Sequence, residues 1–134
     1  MNFEEVYNLP VLVDERGSLI ALDKISGLPF DIKRVYYIFN TKPEASRGFH
    51  AHKNLHQMAI CITGSCSMVL DDGFSKSTLE MNSCSVGVYL PPMIWHEMHN
   101  FSDDCILLVL ASDYYYEDDY IRDYTEFKKA AKIR

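Results

Sequence analysis

Short apolar runs separated by turn residues fill most of the chain, and this pattern predicts a protein built of β-strands. Residues 32–39 are rich in aromatic and β-branched side chains, and residues 58–63 are apolar on both faces, as expected of a central strand. The other predicted strands lie at residues 11–13, 18–22, within 47–57, and at 66–70, 77–81, 86–90, 94–98 and 105–111. So many short strands favour an all-β fold, a jelly-roll β-barrel forming one domain over residues 1–134.

The end of the chain changes to a helical period. Tyr120, Tyr124, Phe127 and Ala131 recur at intervals of three or four residues, and lysines occupy the last turns, where they complement the helix dipole. We therefore expect a short C-terminal helical tail that packs this aromatic stripe on the barrel as part of the core.

Two histidines share one predicted strand, in the stretch RGFHAHKNLHQ. Side chains alternate along a strand, so His50 and His52 emerge on one face and Phe49 and Ala51 on the other. Imidazole transfers protons near neutral pH and is also the commonest metal ligand. His96 follows at a later strand, and three imidazoles directed into a barrel interior would be costly without a function.

The net charge of −6 argues against a nucleic-acid partner, because such domains carry a basic face. Positive and negative side chains balance up to Lys53, so the whole deficit lies in the remainder of the chain. Arg16, Arg34 and Arg47 flank predicted strands in the first part, and their forked donors suit an anionic ligand such as a phosphate.

No signal peptide is apparent at the start of the chain, and no apolar run is long enough for a membrane span, so we expect a cytoplasmic protein with no membrane partner. The four cysteines, Cys61, Cys66, Cys84 and Cys105, lie in or beside apolar segments. We expect small reduced core residues; a Cys66 or Cys84 nucleophile is an alternative without a local signature.

Two groups of residues resemble the two motifs of the cupin superfamily. The first is His50, His52, Gln57 and Gly64; the second is Pro91, His96 and Asn100. Gln57 stands where metal cupins have a ligating glutamate, and Met93 replaces a glycine. A neutral amide is a poorer partner than a carboxylate for a divalent ion.

A closer resemblance, to the dTDP-sugar 3,4-ketoisomerases, covers nearly the whole chain. It is carried by the strings RVYYIF, RGFHAHK, LDDG, WHEMH, VLASDYY and DYIRDY. These are metal-independent cupins. The resemblance implies a homodimer, commonly built with exchanged N-terminal strands, that needs no cofactor. It implies conversion of dTDP-4-keto-6-deoxyglucose to a 3-keto-6-deoxyhexose, with either the gluco or the galacto configuration at C4.

Moving a ketone to the neighbouring carbon requires a base that takes a proton and returns it, which suits a histidine pair. By the resemblance, His50 and His52 are the catalytic pair; we assign His50 to the carbon protons and His52 to the oxygens. Tyr37, Arg47 and His52 are candidate donors to the enediolate. Trp95 and the pair Tyr36 and Tyr37 would stack on thymine or sugar, and Arg16 or Arg47 would hold the diphosphate. The predicted substrate-binding residues are Arg16, Tyr37, Arg47, Gln57, Trp95 and His96.

Three other functions remain open. A sugar-nucleotide 3,5-epimerase would use the same kind of histidine base on the same substrate. A metal-dependent cupin enzyme would ligate its ion through His50, His52 and His96. A non-catalytic cupin would bind a sugar nucleotide and regulate a partner, although binding alone does not need a tandem histidine pair.

Overall fold

The computed structural model describes residues 5–133, which form twelve antiparallel strands followed by one α-helix. The first six strands are β1 (Glu5–Asn8), β2 (Leu12–Asp14), β3 (Gly17–Leu19), β4 (Arg34–Ile38), β5 (Arg47–His52) and β6 (Gln57–Thr63). The others are β7 (Cys66–Asp71), β8 (Lys76–Met81), β9 (Val86–Leu90), β10 (Trp95–His99), β11 (Ile106–Ala111) and β12 (Tyr120–Ile121). Helix α1 is Tyr124–Ile133, and a 3₁₀ turn, Glu117–Asp119, precedes β12.

The strands form two five-stranded sheets and a separate hairpin. The first sheet has the order β1-β9-β6-β11-β4, and the second has the order β12-β5-β10-β7-β8. Within residues 5–133, β2 pairs only with β3. This confirms the predicted all-β jelly-roll barrel with a helical tail. The hairpin was also predicted correctly, although its second strand ends at Leu19.

Three apolar clusters hold the layers together. The largest lies between the sheets and includes Met68, Leu70 and Leu107. A second covers the outer face of the first sheet, where Leu28 and Phe30 pack on Met58 and other residues. Because both faces of β6 are covered in this way, its first five residues are all buried, as the unbroken apolar run predicted.

Helix α1 covers the outer face of the second sheet. Phe127 and Ala131 are buried there with Trp95 and Ala51. The side chain of Asp123 caps the helix by accepting the backbone N–H of Glu126 (3.0 Å). The predicted helix is confirmed, but Tyr120 is not part of its stripe, because Tyr120 precedes the cap and belongs to β12.

A β-bulge shapes the strand that carries the histidines. His96 of β10 pairs with His50, whereas the next residue, Glu97, pairs with Gly48, so Phe49 is the extra residue. Gly48 and Phe49 both have positive φ, at 91° and 61°. The bulge sets His50 directly opposite His96.

The cysteines only partly follow their predicted burial. Cys61, Cys66 and Cys105 are buried free thiols, but Cys84 is exposed and is therefore not a core residue. Burial raises the pKa of Cys61 to about 12 and also raises that of Cys66, which disfavours the nucleophilic thiolate. In residues 5–133 no helix has the length and apolar character needed to cross a bilayer.

Candidate active site

Three histidine side chains meet inside the barrel. The ring of His50 lies 5.0 Å from that of His52 and 4.6 Å from that of His96, measured between ring centroids. The prediction that His50 and His52 share a face is thus confirmed. His52 and His96 are almost fully buried, so the cluster is only weakly solvated.

The segment before α1 adds Asp119, which was not among the predicted site residues, and Tyr120, which was predicted to belong to the helical core stripe. The ring of Tyr120 lies 4.3 Å from that of His52 and 4.8 Å from that of His50. Asp119 Oδ2 is 3.1 Å from His52 Nδ1. Strand β12 brings both residues to the site by pairing Tyr120 with His52 at the edge of the second sheet.

Hydrogen bonds orient the two histidines of β5 in the same way. His50 Nδ1 lies 3.0 Å from the carbonyl oxygen of Gly48, which can only accept. The proton of neutral His50 is therefore on Nδ1, and Nε2 carries the free lone pair. His96 differs, since neither of its ring nitrogens has a hydrogen-bond partner within residues 5–133.

Burial keeps the three imidazoles neutral. Desolvation and, next, the charge of His52 lower the pKa of His50 to about 4. Desolvation also lowers the pKa of His52, against the opposing effect of Asp119, and that of His96 falls well below its ordinary value. At neutral pH all three rings can therefore accept a proton.

Gln57 is buried on β6 and bonded to Tyr36. The Tyr36 hydroxyl donates to Gln57 Oε1 at 2.7 Å. Burial raises the pKa of Tyr36, so its hydroxyl remains a donor at neutral pH. The guanidinium of Arg34 lies over the Tyr36 ring, and the charge of Arg47 also acts on Tyr36.

Trp95 does not occupy the place that was predicted for it. Its ring packs against Tyr124 and Phe127 of α1, and its indole N–H donates to Glu97 (2.9 Å). The prediction that Trp95 stacks on a base or sugar is therefore wrong. Adjacent residues of a strand face opposite sides, so a Trp95 next to an inward His96 must face outward.

Two other predicted binding residues are not brought to the histidines. Arg16 lies in the β2–β3 turn, exposed and paired with Asp14 at 2.7 Å. Tyr37 is exposed on the outer face of β4, where its ring packs on Phe39. Their roles in binding stay predictions.

The remaining histidines lie apart from the cluster. His56 follows the end of β5, and its Nδ1 contacts the Tyr89 hydroxyl at 2.6 Å. His99 faces the outer side of β10 with Glu97. Over the described part of the chain, no three histidine, cysteine or acidic side chains form a group that could hold a metal ion.

Comparison with known proteins identifies the family to which this arrangement belongs. The family model described as "FdtA: WxcM-like, C-terminal" matches residues 2–132. The chain belongs to the FdtA family. The activities of similar proteins confirm the resemblance to sugar 3,4-ketoisomerases.

Similar proteins have stated activities. The chain is 55% identical over 130 residues to the TDP-4-oxo-6-deoxy-α-D-glucose-3,4-oxoisomerase of Aneurinibacillus thermoaerophilus, covering 96% of this chain and 94% of that protein. A 3,4-ketoisomerase from Helicobacter canadensis superimposes with a TM-score of 0.92 at 46% identity, covering 96% of this chain and 97% of the other. A mutant of the 3,4-ketoisomerase QdtA from Thermoanaerobacterium thermosaccharolyticum, in complex with TDP-4-keto-6-deoxyglucose, has a TM-score of 0.94 at 41% identity, covering 100% and 97%.

The lowered pKa of His50 predicts the pH below which kcat/KM declines. A catalytic base at His50 would keep its lone pair until the pH falls through this lowered pKa, so kcat/KM would decline with a midpoint near pH 4. An unperturbed histidine would give a midpoint of about 6.5. Initial rates from pH 3 to 8 test this, with circular dichroism at each pH to exclude unfolding. A midpoint near 6.5 in folded protein would contradict it.

Proposed function

We propose that this protein is a sugar-nucleotide 3,4-ketoisomerase that converts dTDP-4-keto-6-deoxyglucose to a dTDP-3-keto-6-deoxyhexose. The observation that carries this function is a buried group of neutral imidazoles in a chain 55% identical to a 3,4-oxoisomerase over nearly its full length. The reaction is redox-neutral, since oxidation at C3 balances reduction at C4. No redox cofactor is then required.

His50 is the proposed base for the carbon protons. Its Nε2 removes the C3 proton, and the electron pair moves to the C4 oxygen to give an enediolate and a protonated imidazolium. The negative charge of the enediolate raises the proton affinity of the nearby ring, which favours this transfer. Return of the proton from His50 to C4 gives the 3-keto product.

His52 is the proposed shuttle for the oxygen protons. The hydroxyl at C3 must lose a proton and the oxygen at C4 must gain one. With its Nδ1 bonded to Asp119, His52 presents Nε2 to take the first proton and deliver the second. Two neighbouring imidazoles therefore divide the two proton transfers between them.

Three other groups are proposed to stabilise the enediolate or to bind the substrate. His96 lies against His50, and its two ring nitrogens have no hydrogen-bond partner among the described residues. Tyr120 contacts both catalytic histidines, and Arg47, near Tyr36, is a cation that can meet the diphosphate. Preformed donors of this kind lower the energy of a developing oxyanion most where water is excluded.

We propose that the chemistry is metal-independent. The position of the ligating glutamate of metal cupins is Gln57, whose carbonyl oxygen already accepts the Tyr36 hydroxyl. An amide engaged in this way is a weak metal ligand. Turnover that persists in the presence of a strong chelator would support this point, and its loss, restored by added metal, would contradict it.

We further propose a cytoplasmic homodimer in which the N-terminal strands are exchanged. Hairpin β2–β3 pairs with no other strand within the described residues, and Leu12, Val13 and Leu19 on it are exposed. Apolar surface of this kind is typical of a contact face. A monomer mass in sedimentation equilibrium would contradict the dimer.

The direct test is incubation of the metal-free protein with dTDP-4-keto-6-deoxyglucose in deuterated buffer, followed by NMR of the ring protons. We expect a 3-keto sugar to form, and its C4 configuration identifies the product as gluco or galacto. A C5 proton that exchanges while the ketone stays at C4 would indicate a 3,5-epimerase instead. Tight binding without any conversion would indicate a binding protein.

A further inference from the structure

Asp119 makes three contacts that tie it to the end of the histidine strand. Its Oδ2 lies 3.1 Å from His52 Nδ1, and its Oδ1 accepts the backbone N–H of Asn54 at 2.8 Å. Its own carbonyl oxygen accepts the N–H of Lys53 at 2.9 Å. Both carboxylate oxygens therefore have assigned partners.

A carboxylate only accepts hydrogen bonds, so the nitrogen that faces it must carry a proton. Neutral His52 bonded to Asp119 is therefore the tautomer with hydrogen on Nδ1 and a lone pair on Nε2. The ring cannot readily turn over to exchange its nitrogens. It is almost fully buried and packs between Tyr120 at 4.3 Å and His50 at 5.0 Å.

We infer that Asp119 is a positioning residue that holds His52 in the tautomer needed for proton transfer and stabilises the imidazolium formed when Nε2 takes a proton. The expected effect on turnover rests on the proposed function, whereas the assignment of the His52 tautomer does not. Asp119 acts through His52 and touches no reacting atom in this assignment. The arrangement follows the general logic of a histidine oriented by a buried carboxylate.

The contact with Asn54 makes the substitution Asp119→Asn unusually informative. The Asn54 N–H must face an acceptor, so it would hold the amide oxygen at the present position of Oδ1. The amide NH₂ would then occupy the position of Oδ2 and donate to His52 Nδ1. Nδ1 would have to accept, which moves the histidine proton to Nε2 and removes the lone pair that faces the substrate.

The order of two variants separates this role from a purely structural one. Asp119→Asn should lower kcat about 10³-fold, because it fixes the wrong tautomer. Asp119→Ala leaves the tautomer of His52 free to change and should lower kcat only about 10- to 100-fold. If Asp119 had a purely structural role, Asp119→Ala would lower kcat more than Asp119→Asn, because asparagine keeps the shape of the side chain and the bond to Asn54. That result would overturn the inference. Asp118→Asn is the matched control: it removes an exposed charge one residue earlier and should leave kcat unchanged.

Nitrogen NMR of ¹⁵N-histidine-labelled protein without substrate tests the tautomer independently of activity. The signals of His52 are assigned by their loss in His52→Asn. We expect the His52 proton to be on Nδ1 in the wild type and on Nε2 in Asp119→Asn. A wild-type proton on Nε2 would overturn the inference. A wild type that shows no turnover would contradict the proposed function alone, because the nitrogen signals still report whether Asp119 sets the tautomer.

Discussion

Replacing His50 with asparagine should lower kcat for conversion of dTDP-4-keto-6-deoxyglucose about 10⁴-fold, near the upper limit for removal of a general base. Asparagine is smaller than histidine, but its amide nitrogen can take the place of Nδ1 and donate to the Gly48 carbonyl, which His50 Nδ1 contacts at 3.0 Å. It cannot take a proton from carbon. The fold and the affinity for TDP should therefore change little, and NMR of the sugar ring with calorimetry of TDP binding measures the two effects separately.

His99→Asn is the matched control for this variant. His99 belongs to β10 but faces the outer side of the sheet, where it is bonded to Glu97 and Ser46. The same chemical change there should leave turnover within about threefold of the wild type, as for most surface substitutions. Ordinary turnover by His50→Asn would remove His50 from the proposed mechanism, whereas equal losses in both variants would point to a general effect on the fold.

The sheet was predictable because strands have a short period that is visible in the sequence. The double-sided apolar run of β6 indicated a central strand, and alternation placed His50 and His52 on one face. The same alternation of side chains also indicates which of two neighbouring aromatic residues faces the barrel interior. It places Tyr36 inward when Tyr37 is outward, and it places Trp95 outward when His96 is inward.

The C-terminal part of the site was harder to predict. The spacing of Tyr120 fits a helical stripe with Tyr124 and Phe127, but a helix starts where its first N–H groups find a cap. Asp123, followed three residues later by Glu126, is the sequence signature of that start, and it leaves Tyr120 outside the helix. The pairing of Tyr120 with His52 depends on contact between distant parts of the chain, which no local pattern encodes.

Replacing Gly48 with alanine should destabilise the protein by about 3 kcal/mol and also reduce turnover. The φ of Gly48 is +91°, a conformation that L-residues with a Cβ rarely adopt. An added Cβ would lie 2.8 Å from the carbonyl oxygen of His96 and 3.3 Å from the Cα of Glu97, both backbone atoms held in strand β10. Relief of this clash requires β5 to move, and the Gly48 carbonyl that orients His50 would move with it.

Gly87→Ala provides the comparison that isolates this effect. There the added Cβ would meet Met58 Sδ at 2.7 Å, near the end of a flexible side chain, and Gly87 does not have a positive φ. Because methionine can change its rotamer, we expect a cost of about 1 kcal/mol or less. Urea unfolding measures both variants, and residual turnover of folded Gly48→Ala reports the displacement of His50. Equal and small losses of stability in the two variants would show that β5 can accommodate a side chain at the bulge, and the link between the bulge and the orientation of His50 would then be wrong.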